Sequence, residues 1–221
     1  MNRKFDQYCP VAHALSLVGE RWSLLVVREL LQGPKRYTDL AHGLPGIGTN
    51  ILAARLRDLE ACGVIAKRKL PPPAASTVYE LTEYGDELRE ALYALGRWGA
   101  RTLGPPKADD ELYPEWGLNG LPALFNAEEA RGLSETYVLN VDGDVFTAQI
   151  VNGSLAVSMG AAEDADLVVE VDMDTFFALA AGELSLRDAV ARGIARVEGE
   201  PETANRCFRV FSIAPRVTAA A

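Results

Sequence analysis

Residues 49–81 read TNILAARLRDLEACGVIAKRKLPPPAASTVYEL, and the spacing of apolar side chains changes midway along this stretch. The first part has leucines at helical spacing, namely Leu52, Leu56 and Leu59. Gly63 then stands where a helix commonly ends. Residues 64–70 and 77–81 are rich in β-forming side chains, and the prolines between them cannot continue a helix. The stretch therefore predicts a helix followed by a two-stranded hairpin with a proline-stiffened tip.

Helical spacing also marks the segments on either side of this stretch. Before it, apolar stripes predict three short helices, which lie after Pro10, before Gly33 and around Leu40. After it, Thr82 is suited to cap a long last helix, because its hydroxyl can accept a hydrogen bond from the first turn. Four helices, a hairpin and a long helix are the organisation of a winged helix-turn-helix, which we expect over residues 1–104. This domain would be mostly α-helical, with the hairpin as a β-wing.

The distribution of charge separates the chain into two halves. The 221 residues have a net charge of −9, which for the whole chain argues against nucleic-acid binding. Residues 1–107 hold 15 Lys and Arg against 11 Asp and Glu, whereas residues 108–221 hold 7 against 20. Only the first half is therefore suited to approach phosphates. The proline-rich, acidic segment 105–118 predicts a linker between two domains.

The predicted helix around Leu52 has the two faces that a recognition helix needs. Its leucines anchor one face, and the other face offers small and polar side chains to base edges in the major groove of double-stranded DNA. The side chains expected at this surface are Thr49, Asn50, Ala53, Arg55 and Arg57. Asn50 is suited to adenine, and Arg57 to guanine or phosphate. An ordinary amphipathic helix with a solvated face is the alternative interpretation.

Consecutive basic residues on the predicted wing favour the nucleic-acid interpretation. Lys67, Arg68 and Lys69 would point to alternating faces of a strand, so at least one side is available to phosphates or a minor groove. A charged strand edge that discourages strand pairing is the alternative. At the start of the third helix, three more side chains are suited to fix the register on phosphates, namely Arg36, Tyr37 and Thr38.

Short motifs distributed over residues 7–102 resemble the HxlR-type regulators, which are relatives of the MarR group. The motifs are CPV at 9–11 with Leu15, VG at 18–19, RW at 21–22, RYTDL at 36–40, the three spaced leucines, GVI at 63–65, and VYELT at 78–82 with Gly85. The resemblance implies a DNA-binding homodimer that reads a pseudo-palindromic operator. The chain departs from the family at Gly48-Thr49-Asn50, where many members have a serine cap and a lysine, so no base preference is carried over.

The same resemblance suggests two further roles. It places a dimer interface on the first and last helices, and the last helix would contribute side chains that could equally belong to the domain core: Leu88, Leu92, Leu95 and Trp98. It also makes Cys9 a candidate redox or electrophile sensor, since a helix N terminus stabilises a thiolate. A small buried apolar residue is the alternative for Cys9. Cys62 and Cys207 lie on apolar helical faces and are expected in the core.

The second half alternates strands with helices. Two hairpin turns are predicted at Asp142-Gly143 and Asn152-Gly153, because these dipeptides lie between segments of alternating apolar residues. A fourth strand around Val169, two short helices, a fifth strand at 194–197 and a final helix from Pro201 complete the pattern. We therefore expect an α+β fold over residues 119–221, with a mostly antiparallel sheet covered by helices on one side.

Residues 165–211, which begin ADLVVEVDMDTFFALAAGELSLRDAVARG, resemble the C-terminal part of the sterol carrier protein family. A looser resemblance extends over residues 119–215. That family encloses an apolar tunnel for fatty-acyl or other hydrophobic molecules, so the resemblance implies a pocket for a small hydrophobic ligand, with a closed core as the alternative. The candidate lining residues are Phe146, Ile150, Val157, Val169, Phe176, Phe177, Phe208 and Phe211.

Other classes of function have little support in the sequence. It contains no glycine-rich phosphate loop and no G-x-S-x-G motif, so we expect neither catalytic residues nor a cofactor. Two histidines and three separated cysteines provide no metal site. No apolar segment is long enough to span a bilayer and the N terminus lacks a secretion signal, so a cytoplasmic protein without membrane contact is expected.

These features together predict a ligand-responsive repressor or activator rather than an enzyme. Its acidic second half would bind a small apolar molecule or serve as a dimerisation module. The alternative is a carrier of hydrophobic ligands, such as lipids or acyl groups, whose winged helix binds proteins. Salt-dependent DNA binding distinguishes the two, because phosphate contacts weaken steeply as the salt concentration rises.

Overall fold

The computed structural model describes residues 5–72, 75–104, 107, 110–111 and 113–214. The chain divides into two units, Met1–Leu92 and Tyr93–Ala221, and the division falls inside a helix. Residues 73–74 of the predicted wing tip, which spans residues 71–76, lie outside the described residues, and so do five residues of the predicted linker, 105–106, 108–109 and 112.

The first unit begins with four helices. Their bounds are α1 Pro10–Val18, α2 Ser23–Leu30, α3 Tyr37–His42 and α4 Thr49–Ala61. An antiparallel three-stranded sheet has the order β1-β3-β2, with β1 at Lys35–Arg36, β2 at Ile65–Lys69 and β3 at Thr77–Leu81. Two helices follow, α5 Glu83–Asp86 and α6 Leu88–Ala100. The four predicted helices and the predicted hairpin are therefore confirmed.

The leucines predicted to anchor α4 lie in the core of the first unit. Leu52, Leu56 and Leu59 are at most 2% exposed. They belong to one cluster with buried side chains of α2, α3, the loop after α3, the residue before β2 and the start of β2, namely Val26, Val27, Leu30, Leu40, Leu44, Val64 and Ile65. Complete burial of one leucine contributes roughly 1.5–3 kcal/mol. This stripe therefore holds α4 in place and determines which of its faces points outward.

Three local features differ from the sequence prediction. The two-residue strand β1 is not among the predicted strands. Trp22, which the apolar stripe predicted for the second helix includes, lies just before α2, with a left-handed φ of 80°. The predicted long last helix is divided at Glu87 into α5 and α6. Thr82 caps α5 as predicted, since its Oγ1 accepts a hydrogen bond from the backbone N–H of Gly85 at 3.0 Å. A Cβ at Gly85 would lie 1.9 Å from the carbonyl oxygen of Val64, so this position requires glycine.

The second unit contains a five-stranded sheet with the order β6-β5-β4-β7-β8. Its strands are β4 Glu135–Val141, β5 Asp144–Val151, β6 Ser154–Met159, β7 Leu167–Val171 and β8 Ala195–Gly199. Its helices after α6 are a 3₁₀ turn at Pro114–Trp116, α7 Gly117–Leu124, α8 Met173–Ala180, α9 Leu186–Ala191 and α10 Pro201–Val210. The β4–β7 pair is parallel and the other three pairs are antiparallel, which confirms the α+β class with a mostly antiparallel sheet.

Both hairpin turns predicted in the second unit are present. Asp142-Gly143 joins β4 to β5 and Asn152-Gly153 joins β5 to β6. The four residues have φ values of 53°, 91°, 51° and 80°, the left-handed conformation that two-residue hairpin turns need. The resulting register places Leu139 opposite Phe146 on one side and Val169 on the other.

Helices cover the sheet face on which Leu139 lies. The core of the second unit combines side chains of α7, α8, α9 and α10 with the strand residues that share this face. The last residues of the predicted linker already belong to the 3₁₀ turn and to α7. Among the described residues, no helix combines the length and apolar character that crossing a membrane requires.

Candidate functional site

Helix α4 presents the predicted polar surface at its N-terminal end. Thr49, Asn50 and Arg57 are exposed, whereas Ala53 is half-buried. Gly48 is the N-cap residue and provides no side-chain cap, so the first turn leaves backbone N–H groups open to solvent or a ligand. The phenolic hydroxyl of Tyr37 donates a hydrogen bond to the carbonyl oxygen of Thr49 at 2.8 Å. This bond ties the beginning of α3 to the beginning of α4.

The start of α3 places two more predicted contact residues at the surface. Arg36 is the N-cap residue, and its backbone N–H donates to Oδ2 of Asp39 at 2.9 Å. The side chains of Arg36 and Thr38 are exposed, while Tyr37 is half-buried and packs against the core of the first unit. The beginning of α3 therefore presents two exposed side chains, Arg36 and Thr38, next to the hydrogen bond between Tyr37 and Thr49.

Arg55 occupies a different position from the other predicted contact residues. Its side chain is only 16% exposed, and it forms ion pairs with Asp58 at 3.0 Å and Glu20 at 3.6 Å. Position 55 lies one residue before the buried Leu56, on the flank of the apolar stripe, which explains its partial burial. These contacts link α4 to the segment before α2, so the guanidinium stabilises the domain and is not part of the exposed surface.

The wing separates its three cations onto two faces. Lys67 and Lys69 pair with Tyr79 and Thr77 in the register of β2 and β3, and both lysines are exposed. Neither lysine has a carboxylate within ion-pair distance among the described residues. The ammonium of Lys67 lies 5.8 Å from the centroid of the Tyr79 ring. We call Lys67 and Lys69 the wing lysines, because they share one face of the hairpin.

Arg68 points to the opposite face and is engaged by a carboxylate. Its Nε and Nη2 donate hydrogen bonds to the two carboxylate oxygens of Glu80, at 2.8 and 2.7 Å. These hydrogen bonds raise the pKa of Arg68 and lower the pKa of Glu80. Glu80 thus neutralises one of the three cations predicted to meet phosphates.

A buried carboxylate holds both ends of α3, and it is not among the residues predicted from the sequence. Glu29 is 1% exposed and accepts hydrogen bonds from Lys35 Nζ at 2.7 Å and Arg28 Nη2 at 2.8 Å. Arg28 also donates to the carbonyl oxygen of Gly43 at 3.3 Å, where α3 ends, and Lys35 lies just before α3 begins. A sequence signal exists, because Glu29 follows Val26 by three residues and so falls on the buried face of α2.

The residues predicted for a dimer interface divide into two groups. Leu88 and Leu92 are half-buried and pack against the core of the first unit. Leu95 and Trp98 are 50% and 72% exposed. On α1, two further apolar side chains are exposed, Val11 at 67% and Leu15 at 50%. Apolar surface therefore remains uncovered on both helices that the family resemblance assigned to dimerisation.

The three cysteines differ in accessibility. Cys9 is half-buried and is the N-cap residue of α1, directly before Pro10. Cys62 is half-buried against the core of the first unit, and Cys207 is fully buried in the second. Burial raises the pKa of the Cys207 thiol, which keeps it protonated.

All eight candidate pocket residues lie in or against one hydrophobic core. Phe146, Ile150, Val169, Phe176 and Phe211 are buried, and Val157, Phe177 and Phe208 are half-buried against them. The ring of Phe176 contacts two of the others, with centroid distances of 6.0 Å to Phe177 and 6.2 Å to Phe208. A Cβ at Gly117 would lie 2.3 Å from the ring of Phe146, so α7 packs directly on that ring. The side chains predicted to line a pocket are therefore brought together and tightly packed.

A polar network borders this core. The hydroxyl of Tyr137, which is fully buried, donates to Glu135 Oε2 at 2.5 Å, and Arg206 Nε donates to Glu135 Oε1 at 3.1 Å. Arg206 also donates to the Thr203 hydroxyl at 3.1 Å. Burial and the bond to Glu135 raise the pKa of Tyr137. The network joins β4 to α10 and satisfies each of these polar groups.

In the first unit, an exposed helix N terminus and a basic two-stranded wing rest on a core of short helices. This combination defines the class of winged helix-turn-helix DNA-binding proteins. A family model described as HxlR-like helix-turn-helix matches residues 17–107, and the SCP-2 sterol transfer family model matches residues 118–212. The chain belongs to the HxlR-like helix-turn-helix family of transcriptional regulators and carries an SCP-2 domain in its second half. Membership implies DNA binding and regulation of transcription.

Several bacterial HTH-type transcriptional regulators are similar to the first half of the chain. The uncharacterized HTH-type transcriptional regulator sll1512 of Synechocystis is 35% identical over 111 residues, which cover 50% of this chain and 82% of that protein. The HTH-type transcriptional regulator YodB of Bacillus subtilis is 33% identical over 98 residues, which cover 44% of this chain and 88% of that protein. The solved reduced form of YodB is 31% identical, covers 46% of this chain and all of that chain, and has a TM-score of 0.40. These relatives are named as transcriptional regulators rather than enzymes.

Proposed function

We propose that this chain is a homodimeric regulator that binds a pseudo-palindromic operator and responds to a small hydrophobic effector. The DNA-binding part rests on the exposed N-terminal end of α4, together with two exposed wing lysines that have no carboxylate partner in the described structure. In this arrangement, α4 enters the major groove and the wing lies along the adjacent phosphates or minor groove.

The contact residues of this proposal are a subset of those predicted from the sequence. Thr49, Asn50, Ala53 and Arg57 face base edges, and Arg36, Tyr37 and Thr38 fix the register on phosphates. The wing lysines supply the strongest phosphate contacts, while Arg68 contributes less because Glu80 engages it. Arg55 is left out of the contact surface since its charge is used within the domain.

The homodimer in this proposal uses the apolar side chains that remain exposed on α1 and α6. Val11, Leu15, Leu95 and Trp98 are each at least half exposed, and covering them would remove apolar surface from water. Analytical ultracentrifugation of the wild type and of Leu95→Ser/Trp98→Ser tests this interface. A dimer in the wild type that weakens in the double variant is expected, whereas a monomeric wild type would reject the proposal.

Salt-dependent binding of a labelled duplex tests the wing. Each phosphate contact contributes roughly 0.9 to the slope of log K against log salt, so Lys67→Gln/Lys69→Gln should make the slope shallower by about 3 to 4 for a dimer. The control is Arg187→Gln/Arg192→Gln, which changes the net charge equally at exposed positions of α9 and its end. An unchanged slope in the lysine variant, or an equal change in the control, would contradict the wing assignment.

The effector in this proposal binds between the sheet and the helices of the second unit. The match to the SCP-2 sterol transfer family over residues 118–212 and the clustering of the eight predicted side chains support this location. Because these side chains are packed together, a ligand would have to separate them, and the two arrangements could then differ in DNA affinity. That difference would be the basis of regulation.

Two measurements test the effector. Solvent extraction and mass spectrometry of the purified full chain should identify a copurifying lipid-like molecule. After delipidation, the fluorescent fatty acid cis-parinaric acid should bind the chain and change its DNA affinity. Val157→Phe, on the core face of β6, should weaken this binding, while Val151→Phe, exposed on the other face of β5, should not. No binding of the probe to any variant would reject a hydrophobic effector.

In this proposal, oxidation of Cys9 is a second signal that regulates DNA binding. The thiol is partly accessible and begins α1, one of the two helices assigned to the dimer. Treatment with the thiol oxidant diamide should change the DNA affinity of the wild type and of Cys62→Ser but not of Cys9→Ser. An identical response in Cys9→Ser would remove Cys9 from the proposal.

A further inference from the structure

Ile51 is an apolar side chain that its own unit leaves about half uncovered. It lies in the first turn of α4, between the exposed Asn50 and the fully buried Leu52, and 48% of its surface is exposed. It is not among the side chains packed against the core of the first unit. Gly48 leaves the neighbouring space open, since a Cβ there would be no closer than 4.0 Å to Ile51 Cδ1.

The helix itself gains nothing from an isoleucine at this position. β-Branched residues lose side-chain freedom in helices and are weaker helix formers than alanine or most long polar residues. Exposed apolar surface is also unfavourable in water. Ile51 is therefore available for a contact outside the domain, at the end of α4 that the proposed function places in the major groove.

We infer that Ile51 is a specificity-determining residue that packs against the C5-methyl group of a thymine. Thymine is the base whose major-groove edge carries a methyl group, and apolar side chains recognise it by contact. The neighbouring Asn50 is suited to the N6 and N7 atoms of adenine. The first turn of α4 would thus select A·T base pairs in each half-site, an inference that rests on the proposed binding of DNA by α4.

The test begins with selection of the preferred operator from a random duplex library by the full-length wild-type chain. Deoxyuridine then replaces each thymine of the operator in turn, which removes only the methyl group. Loss of the contacted methyl should weaken binding about four-fold per half-site, the equivalent of one buried methylene group. Ile51→Ala should weaken binding to the thymine operator by a similar factor and should not distinguish thymine from uracil at that position.

Two variants control for effects on folding. Ile51→Val keeps most of the apolar contact and should retain the preference for thymine. Val190→Ala removes a similarly exposed β-branched side chain, 46% exposed, from α9 in the second unit and should leave the preference unchanged. Melting temperatures of all variants should stay close to that of the wild type, because the side chain changed is about half exposed in each and belongs to neither hydrophobic core.

The outcomes separate the inference from the function on which it rests. If the wild type selects an operator but no thymine methyl affects its affinity, or if Ile51→Ala keeps the full thymine preference, the assignment of Ile51 is wrong and DNA binding stands. If no sequence is enriched from the library, the operator-binding function fails, and the assignment of Ile51 fails with it.

Discussion

Replacement of Glu80 with glutamine is expected to tighten DNA binding, because it releases a cation that the wing now neutralises. Arg68 donates two hydrogen bonds to Glu80, and the two side chains stay 47% and 28% exposed, so the released guanidinium could reach a phosphate. One additional phosphate contact per protomer would steepen the slope of log K against log salt by roughly 0.9. For a dimer, which gains two such contacts, the change would be about 2. The advantage of Glu80→Gln over the wild type should then shrink about ten-fold between 50 and 200 mM salt.

Fluorescence anisotropy with a labelled operator, measured across this salt range, gives both affinity and slope. The control is Arg68→Gln/Glu80→Gln, which removes one charge of each sign and should bind like the wild type. The ion pair of Arg68 and Glu80 should also depend on pH, because it lowers the pKa of Glu80. Its contribution to stability is fully present above the ordinary pKa of glutamate and is lost as the pH falls through the lowered value. A folded Glu80→Gln variant that binds more weakly than the wild type, or with the same slope, would refute this account of the wing.

Three further predictions concern the two cores and the thiols. Leu52→Ala should destabilise the first unit by about 2–5 kcal/mol in chemical denaturation, because its side chain is fully buried in the core; a loss below 1 kcal/mol would contradict this packing. A thiol reagent should label Cys9 in the native chain and leave Cys207 unreacted until unfolding, as mass spectrometry of labelled peptides would show; rapid native labelling of Cys207 would contradict its burial. Tyr137→Phe should cost about 1–3 kcal/mol, measured by thermal denaturation, since Glu135 loses a buried hydrogen-bond donor; an unchanged stability would mean that the bond makes no net contribution.

The elements with a strong local signal could be predicted from the sequence. The leucine spacing of α4 corresponds to side chains that are at most 2% exposed, and the Asp142-Gly143 and Asn152-Gly153 turns adopt the positive φ values that their residues favour. Helix α7 could not be predicted in the same way, because Gly117, Gly120 and Pro122 interrupt the pattern that identifies a helix. Its stability comes from packing on the core of the second unit, which local spacing does not reveal.

The candidate site shows a similar division between local and long-range information. The exposed positions of α4 follow from the helical period, so Asn50 and Arg57 were predictable. The pairing of Arg68 with Glu80 depends on the strand register, which brings together residues twelve positions apart. The partial burial of Arg55 depends on a carboxylate from another segment, Glu20. Sequence patterns therefore predicted the exposed cations Arg57, Lys67 and Lys69, but not that Arg55 is largely buried or that Arg68 is paired with a carboxylate.

The unequal charge of the two halves has a consequence for binding at low salt. Residues 108–221 hold 20 acidic and 7 basic residues, so the whole chain repels DNA although its wing attracts phosphates. At about 0.15 M salt the screening length is roughly 8 Å and only contacts near the duplex act, whereas at about 0.01 M it reaches roughly 30 Å and the acidic half contributes repulsion. The plot of log K against log salt should therefore flatten at the lowest salt concentrations for the wild type. A plot that remains straight down to about 0.01 M would mean that the field of the acidic half does not reach the bound DNA.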